Sequence, residues 1–123
     1  MGVSLGRLTR RPEFLRVAGS RRKFAAKGLV LQARQREEDD PPAAETARIG
    51  YTATRKIGGA VARNRARRRL RAAAREVMPD AAVAGWDYVL VARGETLSRP
   101  YANLLDDLRA ALAAVSGNRE KHR

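Results

Sequence analysis

Between Gly58-Gly59 and Pro79 the chain carries one unbroken helical pattern, and that pattern permits docking from one side only. With Leu70 set at zero and a step of about 100° per residue, Ala62, Ala66, Leu70, Ala73, Ala74 and Val77 share an arc of ~120°. Asn64, Arg65, Arg67, Arg68, Arg69, Arg71 and Arg75 fill the remainder. Arg63 falls near the apolar arc, but in the first turn its long stem is expected to snorkel outward. The helix is predicted over Ala60 to Met78, about 28 Å long at ~1.5 Å per residue. Pro79 is expected to end it, because the residue before a proline disfavours the helical conformation.

The polar side of this helix is almost purely cationic. From Thr46 to Arg75 there are ten Arg or Lys residues and no Asp or Glu. A solvated helix usually mixes signs at i, i+4 spacing, whereas Arg63, Arg67 and Arg71 stand four apart with no acid before Glu76. Like charges in one patch repel, so such a surface is best explained by a polyanionic partner. The whole 123-residue chain has a formal charge of +13, in keeping with phosphate binding. Arg outnumbers Lys 22 to 4; coding bias explains that ratio, but not the loss of acids from one window. Arginine adds a planar fork that grips phosphate with two bonds and stacks on bases. Asn64 among the arginines can donate and accept at once, which suits a ribose hydroxyl, a base edge or a bound water.

The rest reads as one small α+β domain over 1–123, with 1–11 a basic extended arm and 117–123 a tail, both expected to be flexible. Pro12 and Glu13 suit the first turn of a short helix, Phe14, Val17 and Ala18 supply its apolar face, and Gly19 closes it. Strands are predicted at Leu29 to Arg34, Arg48 to Thr54 and Trp86 to Ala92. The last is apolar on both faces, as a central strand requires. An additional strand near Lys23 is possible. Gln35 to Ala47, with Glu37-Glu38-Asp39-Asp40-Pro41-Pro42, reads as an exposed loop. Ser98 and Pro100 suit the cap and first turn of a final helix, whose stripe is Leu104, Leu105, Leu108, Leu112 and Val115.

Several chemistries are excluded or disfavoured. Without cysteine there is no disulfide and no thiolate metal site. His122 is the one histidine and lies in a charged tail. Asp106 and Asp107 are adjacent on a helix and diverge, so nothing assembles a protein nuclease site. No catalytic residue and no metal ligand is assigned. No apolar stretch is long enough to span a bilayer and no secretory signal is evident, so a cytoplasmic protein is expected.

The segment Ile49-Gly50-Tyr51-Thr52-Ala53-Thr54-Arg55-Lys56-Ile57-Gly58-Gly59-Ala60-Val61-Ala62-Arg63-Asn64-Arg65-Ala66-Arg67-Arg68-Arg69-Leu70-Arg71 resembles the core signature of the bacterial ribonuclease P protein component. Phe14 in a short helix and Asp87-Tyr88-Val89-Leu90-Val91-Ala92-Arg93 are similar to it as well, so the resemblance runs from about Arg7 to Val115. It implies a two-layer α/β sandwich with a central mixed sheet and a left-handed β-α-β crossover through the basic helix. Spacing alone would favour the usual right-handed one. The resemblance further implies one protein bound to a large catalytic RNA that removes the 5′ leader of precursor tRNA. Mg2+ would be held mainly by the RNA and the substrate.

Carried over by position, Arg63, Asn64, Arg65, Arg67, Arg68 and Arg71 match the signature helix, and Arg55 and Lys56 match the basic pair before it. Phe14, Thr52 and Arg93 match positions lining a cleft for the single-stranded leader. Three positions depart from the pattern. Arg67 replaces the commoner Lys and keeps the charge. Ala18 and Gln32 stand where many relatives place aromatics, which reduces base stacking worth about 1–3 kcal/mol per base. Leader contact is therefore expected to lean on phosphate. A structural RNA binder of ribosomal type is the alternative, distinguished only by signature and cleft. Double-stranded DNA is disfavoured because the helix commits its apolar side to its own core and no dimerising zipper follows.

Overall fold

The computed structural model describes residues 2–37 and 45–121. Five strands and three helices follow one another as β1 (Ser4–Arg7), α1 (Arg11–Gly19), β2 (Arg22–Ala25), β3 (Leu29–Gln35), β4 (Thr46–Thr52), α2 (Ala60–Ala81), β5 (Trp86–Ala92) and α3 (Tyr101–Lys121). Short 3-10 turns, Arg55–Ile57 and Gly94–Thr96, precede α2 and follow β5. The sheet is mixed, with strand order β1-β4-β5-β3-β2. Parallel β4 and β5 are joined through α2, with Arg48 beside Asp87 and Thr52 beside Val91. β3 runs antiparallel to β5 and forms a hairpin with β2.

Alternation along the strands sorts side chains onto two faces. Leu29, Leu31, Ala33, Ala47, Ile49, Tyr88 and Leu90 meet the apolar stripes of α2 and α3 in the main core. The α2 stripe is as the helical spacing predicts: Ala66, Leu70, Ala73, Ala74 and Val77 are all buried, and Met78 joins them. On the opposite face α1 alone crosses the sheet, where Val17 packs with Leu8 and Val89, flanked by Phe14 and Val91. β5 is buried from Trp86 to Leu90, in the middle of the sheet as its two-sided apolar run requires.

Four expectations are corrected. Within the expected arm 1–11, residues 4–7 are a parallel edge strand on β4, from Ser4 beside Thr46 to Arg7 beside Ile49. Pro79 does not end α2, which continues to Ala81. The extra turn is held where the Ala82 N–H donates to the Met78 carbonyl at 2.8 Å and the Val3 N–H donates to the Pro79 carbonyl at 2.8 Å. The bond lost to proline would have gone to Arg75, an exposed residue that water can serve. Pro100, not Ser98, caps α3, its carbonyl accepting from the Leu104 N–H at 3.0 Å. Finally, α3 extends to Lys121, past the expected tail boundary at Gly117. Most of the acidic loop, residues 38–44, lies outside the described residues, as does His122.

Candidate nucleic-acid interface

The turn into α2 is built on Gly58, whose φ of 141° is open to glycine and strained for other residues. It places Arg55 and Lys56, both exposed, at the N-terminal end of the helix. Arg63 is half-buried, and its guanidinium turns out of the apolar arc to donate through Nη1 to the Gly58 carbonyl at 3.0 Å. One turn on, Arg67 Nη2 donates to Asn64 Oδ1 at 2.6 Å, which leaves the Asn64 NH2 facing outward to donate. Arg65 and Arg68 are exposed and have no partner among the described residues. Arg71 lies over the Tyr51 ring, 5.2 Å from its centroid, a cation–π distance.

Arg69 belongs to the same polar arc but does different work. Its Nη1 donates to the carbonyls of Thr96 and Leu97 at 2.8 and 2.9 Å, and its Nη2 to that of Arg99 at 2.6 Å. It ties α2 to the turn after β5 and is not free to hold phosphate.

Among the described residues the ion pairs join Arg36 and Arg48 to Asp87, Arg48 to Glu13, Arg99 to Asp107 and Arg109 to Asp106. None of them uses a cation of α2. Glu76, the one acid beside the arginine run, accepts from the Tyr101 hydroxyl. The flank carrying Arg63, Arg65, Arg67, Arg68 and Arg71 is therefore compensated by no acid among the described residues.

A second surface lies on the α1 side of the sheet. Phe14 is half-buried over Gly50: a Cβ there would stand 2.5 Å from Phe14 Cε2, so glycine is what lets the ring seat. Thr52 follows on the same face of β4 as Gly50, with Val91 beside it on β5. Gln32 is across the sheet beside Val89. Arg93 leaves the end of β5 with an exposed side chain anchored at one point, Nη1 to the Ala26 carbonyl at 2.7 Å. Phe14 and Thr52 thus share one shallow surface, and Arg93 stands at its end. Ala18 is exposed on α1 and adds no ring.

Sequence reasoning missed the ion network under α1. Asp87 is buried beside Arg48, its register partner, and receives Arg48 Nε at 2.9 Å, Arg48 Nη2 at 2.8 Å and Arg36 Nη1 at 2.6 Å. Arg48 Nη1 then reaches Glu13 Oε2 at 2.9 Å, while Glu13 Oε1 accepts the N–H groups of Thr9 and Arg10, both at 2.9 Å. Those two backbone bonds, with Arg48 behind them, hold the Glu13 carboxyl below the usual carboxylate range against the opposing effect of burial. Asp87 chiefly raises Arg48. The visible signal was an acid inside the apolar run Trp86 to Ala92, which is costly unless paired. No group of three or more His, Asp or Glu among the described residues is placed to hold a metal ion. No described helix is long and apolar enough to cross a membrane.

Comparison with known proteins identifies the family of the chain. The family model described as Ribonuclease P matches residues 4–116. The chain is 51% identical over 122 residues to the ribonuclease P protein component of Paramagnetospirillum magneticum, covering 99% of this chain and 91% of that one. The Caulobacter vibrioides component is 48% identical over 115 residues, 94% of this chain and 74% of the relative. Among solved structures, the Staphylococcus aureus RNase P protein superposes with a TM-score of 0.67 at 21% identity, over 86% of this chain and 91% of that one. That from Thermotoga maritima gives 0.62 at 24% identity, over 83% and 90%.

Proposed function

The chain belongs to the ribonuclease P protein family, and from that premise we propose that it is the protein subunit of a ribonucleoprotein that removes the 5′ leader of precursor tRNA. The uncompensated α2 flank carries the proposal: Arg65 and Arg68 point outward with no described acid to satisfy them. On this reading Arg55, Lys56, Arg63, Asn64, Arg65, Arg67, Arg68 and Arg71 grip the catalytic RNA. Phe14, Thr52 and Arg93 receive the single-stranded leader.

The chemistry is assigned to the RNA. Mg2+ is assigned to the RNA and the substrate, as the family resemblance implies. The protein's own contribution is electrostatic and geometric. Guanidinium groups on a rigid helix neutralise phosphates of two RNAs that would otherwise repel, and they raise the encounter rate. The sheet face under Phe14 fixes the leader, so the substrate docks in one register. One protein per RNA, in the cytoplasm and without DNA or membrane partners, completes the reading. The full-length family match supports it over a ribosomal-type role.

Reconstitution with the cognate RNA at low magnesium tests the proposal. Adding protein is expected to increase precursor-tRNA cleavage, while protein alone cleaves nothing. No gain on adding protein would refute the assignment.

A further inference from the structure

A cavity of about 190 Å3 opens on the α2 side of the sheet, opposite the Phe14 surface, and of the residues assigned above to the catalytic RNA only Arg71 lines it. Leu5, Ile49 and Tyr51 form its apolar part; Arg7, Arg71 and Arg75 supply its charge. It exists because β1 is a strand. The parallel register sets Leu5 beside Ala47 and Arg7 beside Ile49, so the alternating side chains Leu5 and Arg7 point toward α2, as Ile49 and Tyr51 do. α2 brings Arg71 and Arg75, one turn apart, from above.

Among the described residues no acid lines this space, and Arg7 and Arg75 have no partner. Burial raises the Tyr51 phenol above its ordinary value, and Arg71, Arg75 and Arg7 all oppose that rise. Three guanidinium groups therefore act on one half-buried aromatic ring. A bare anion would need the cations but not the apolar floor, and an apolar ligand would leave the cations unanswered. A ligand with an anionic group beside a flat ring answers both.

We infer that this cavity binds a single unstacked nucleotide, its base lodged among Leu5, Ile49 and Tyr51 and its phosphate held by Arg7 and Arg75. The occupant is a nucleotide of a bound RNA or a free mononucleotide. Only that choice rests on the function proposed above.

The test uses the full chain at low salt, titrated with AMP, adenosine and inorganic phosphate while NMR follows the Tyr51 ring and the β1 amides. AMP is expected to bind about 10-fold tighter than adenosine or phosphate, the size of one base contact. Arg7→Ala and Arg75→Ala should each weaken AMP by about 3–5-fold, as expected for exposed ion contacts. Arg75 is exposed on a helix, so its variant remains informative if Arg7→Ala unfolds. AMP no tighter than phosphate, or unchanged by both variants, overturns the site. In the reconstituted complex, ultraviolet crosslinking read by mass spectrometry separates the sources. A nucleotide adduct on Tyr51 assigns the occupant to RNA, and AMP binding without it assigns a free mononucleotide; both support the site. Failure of the complex to assemble, read on a native gel, counts against the proposed function and leaves the AMP result standing.

Discussion

Leu70 and Arg68 are two positions apart on α2 and face opposite surroundings: one is 0% exposed in the core, the other points into solvent. Leu70→Ala should therefore cost about 2–5 kcal/mol of stability, through lost burial and the cavity left behind. Trp86, the single tryptophan and 2% exposed, gives a fluorescence readout for that melt. Arg65→Ala or Arg68→Ala should leave the melt within about 0.5 kcal/mol of the parent and weaken RNA binding instead. A melt with the reverse order would mean the helix faces are rotated. Phe14→Ala should impair substrates carrying a leader more than mature tRNA, measured by competitive binding; equal impairment removes Phe14 from the leader surface. Helical spacing was enough to separate Leu70 from Arg68. It could not separate Arg68 from Arg69, because the carbonyls of Thr96, Leu97 and Arg99 that claim Arg69 arrive from across the fold.

At the scale of elements, α1 is held to the sheet by few apolar contacts and one chain of charges, Glu13 to Arg48 to Asp87 to Arg36. The Glu13 carboxyl is held low in the fold, so folding favours its ionised form. Its contribution is complete above the ordinary carboxylate value and is lost as pH falls through the depressed one. Stability should hence rise with pH over the range below about pH 5. Glu13→Gln should flatten that slope while leaving the neutral-pH fold intact, checked by denaturant titrations at pH 3, 4, 5 and 7. An unchanged slope would remove Glu13 from the acid response. The beginning of α1 was legible, since Pro12 and Glu13 announce a helix start locally. β1 was not: Ser4-Leu5-Gly6-Arg7 has too little apolar character to declare a strand, and its pairing with β4 is decided some forty residues downstream. The overrun of α2 past Pro79 has the same origin. Burial of Met78 and Ala82 and the bond from Val3 outweigh a local rule that sequence alone applies.

For the whole molecule, the charge of +13 is not spread evenly over function. Arg36, Arg48 and Arg99 are neutralised by buried or half-buried acids, and Arg69 is spent on carbonyls. Among the cations that no described acid neutralises, those of the α2 flank and the turn before it lie closest together in the sequence. If about five phosphates are neutralised there, the logarithm of affinity should fall against the logarithm of salt with a slope near −4. Arg68→Ala should make that slope shallower by about 1, because one counterion fewer is released. Arg69→Ala should leave the slope unchanged even though it removes the same formal charge, since that guanidinium faces the protein's own backbone. Filter-binding titrations from low to moderate salt, run on all three chains, decide the matter. Equal slope changes for the two variants would mean that net charge, rather than the geometry of one helix face, governs the attraction.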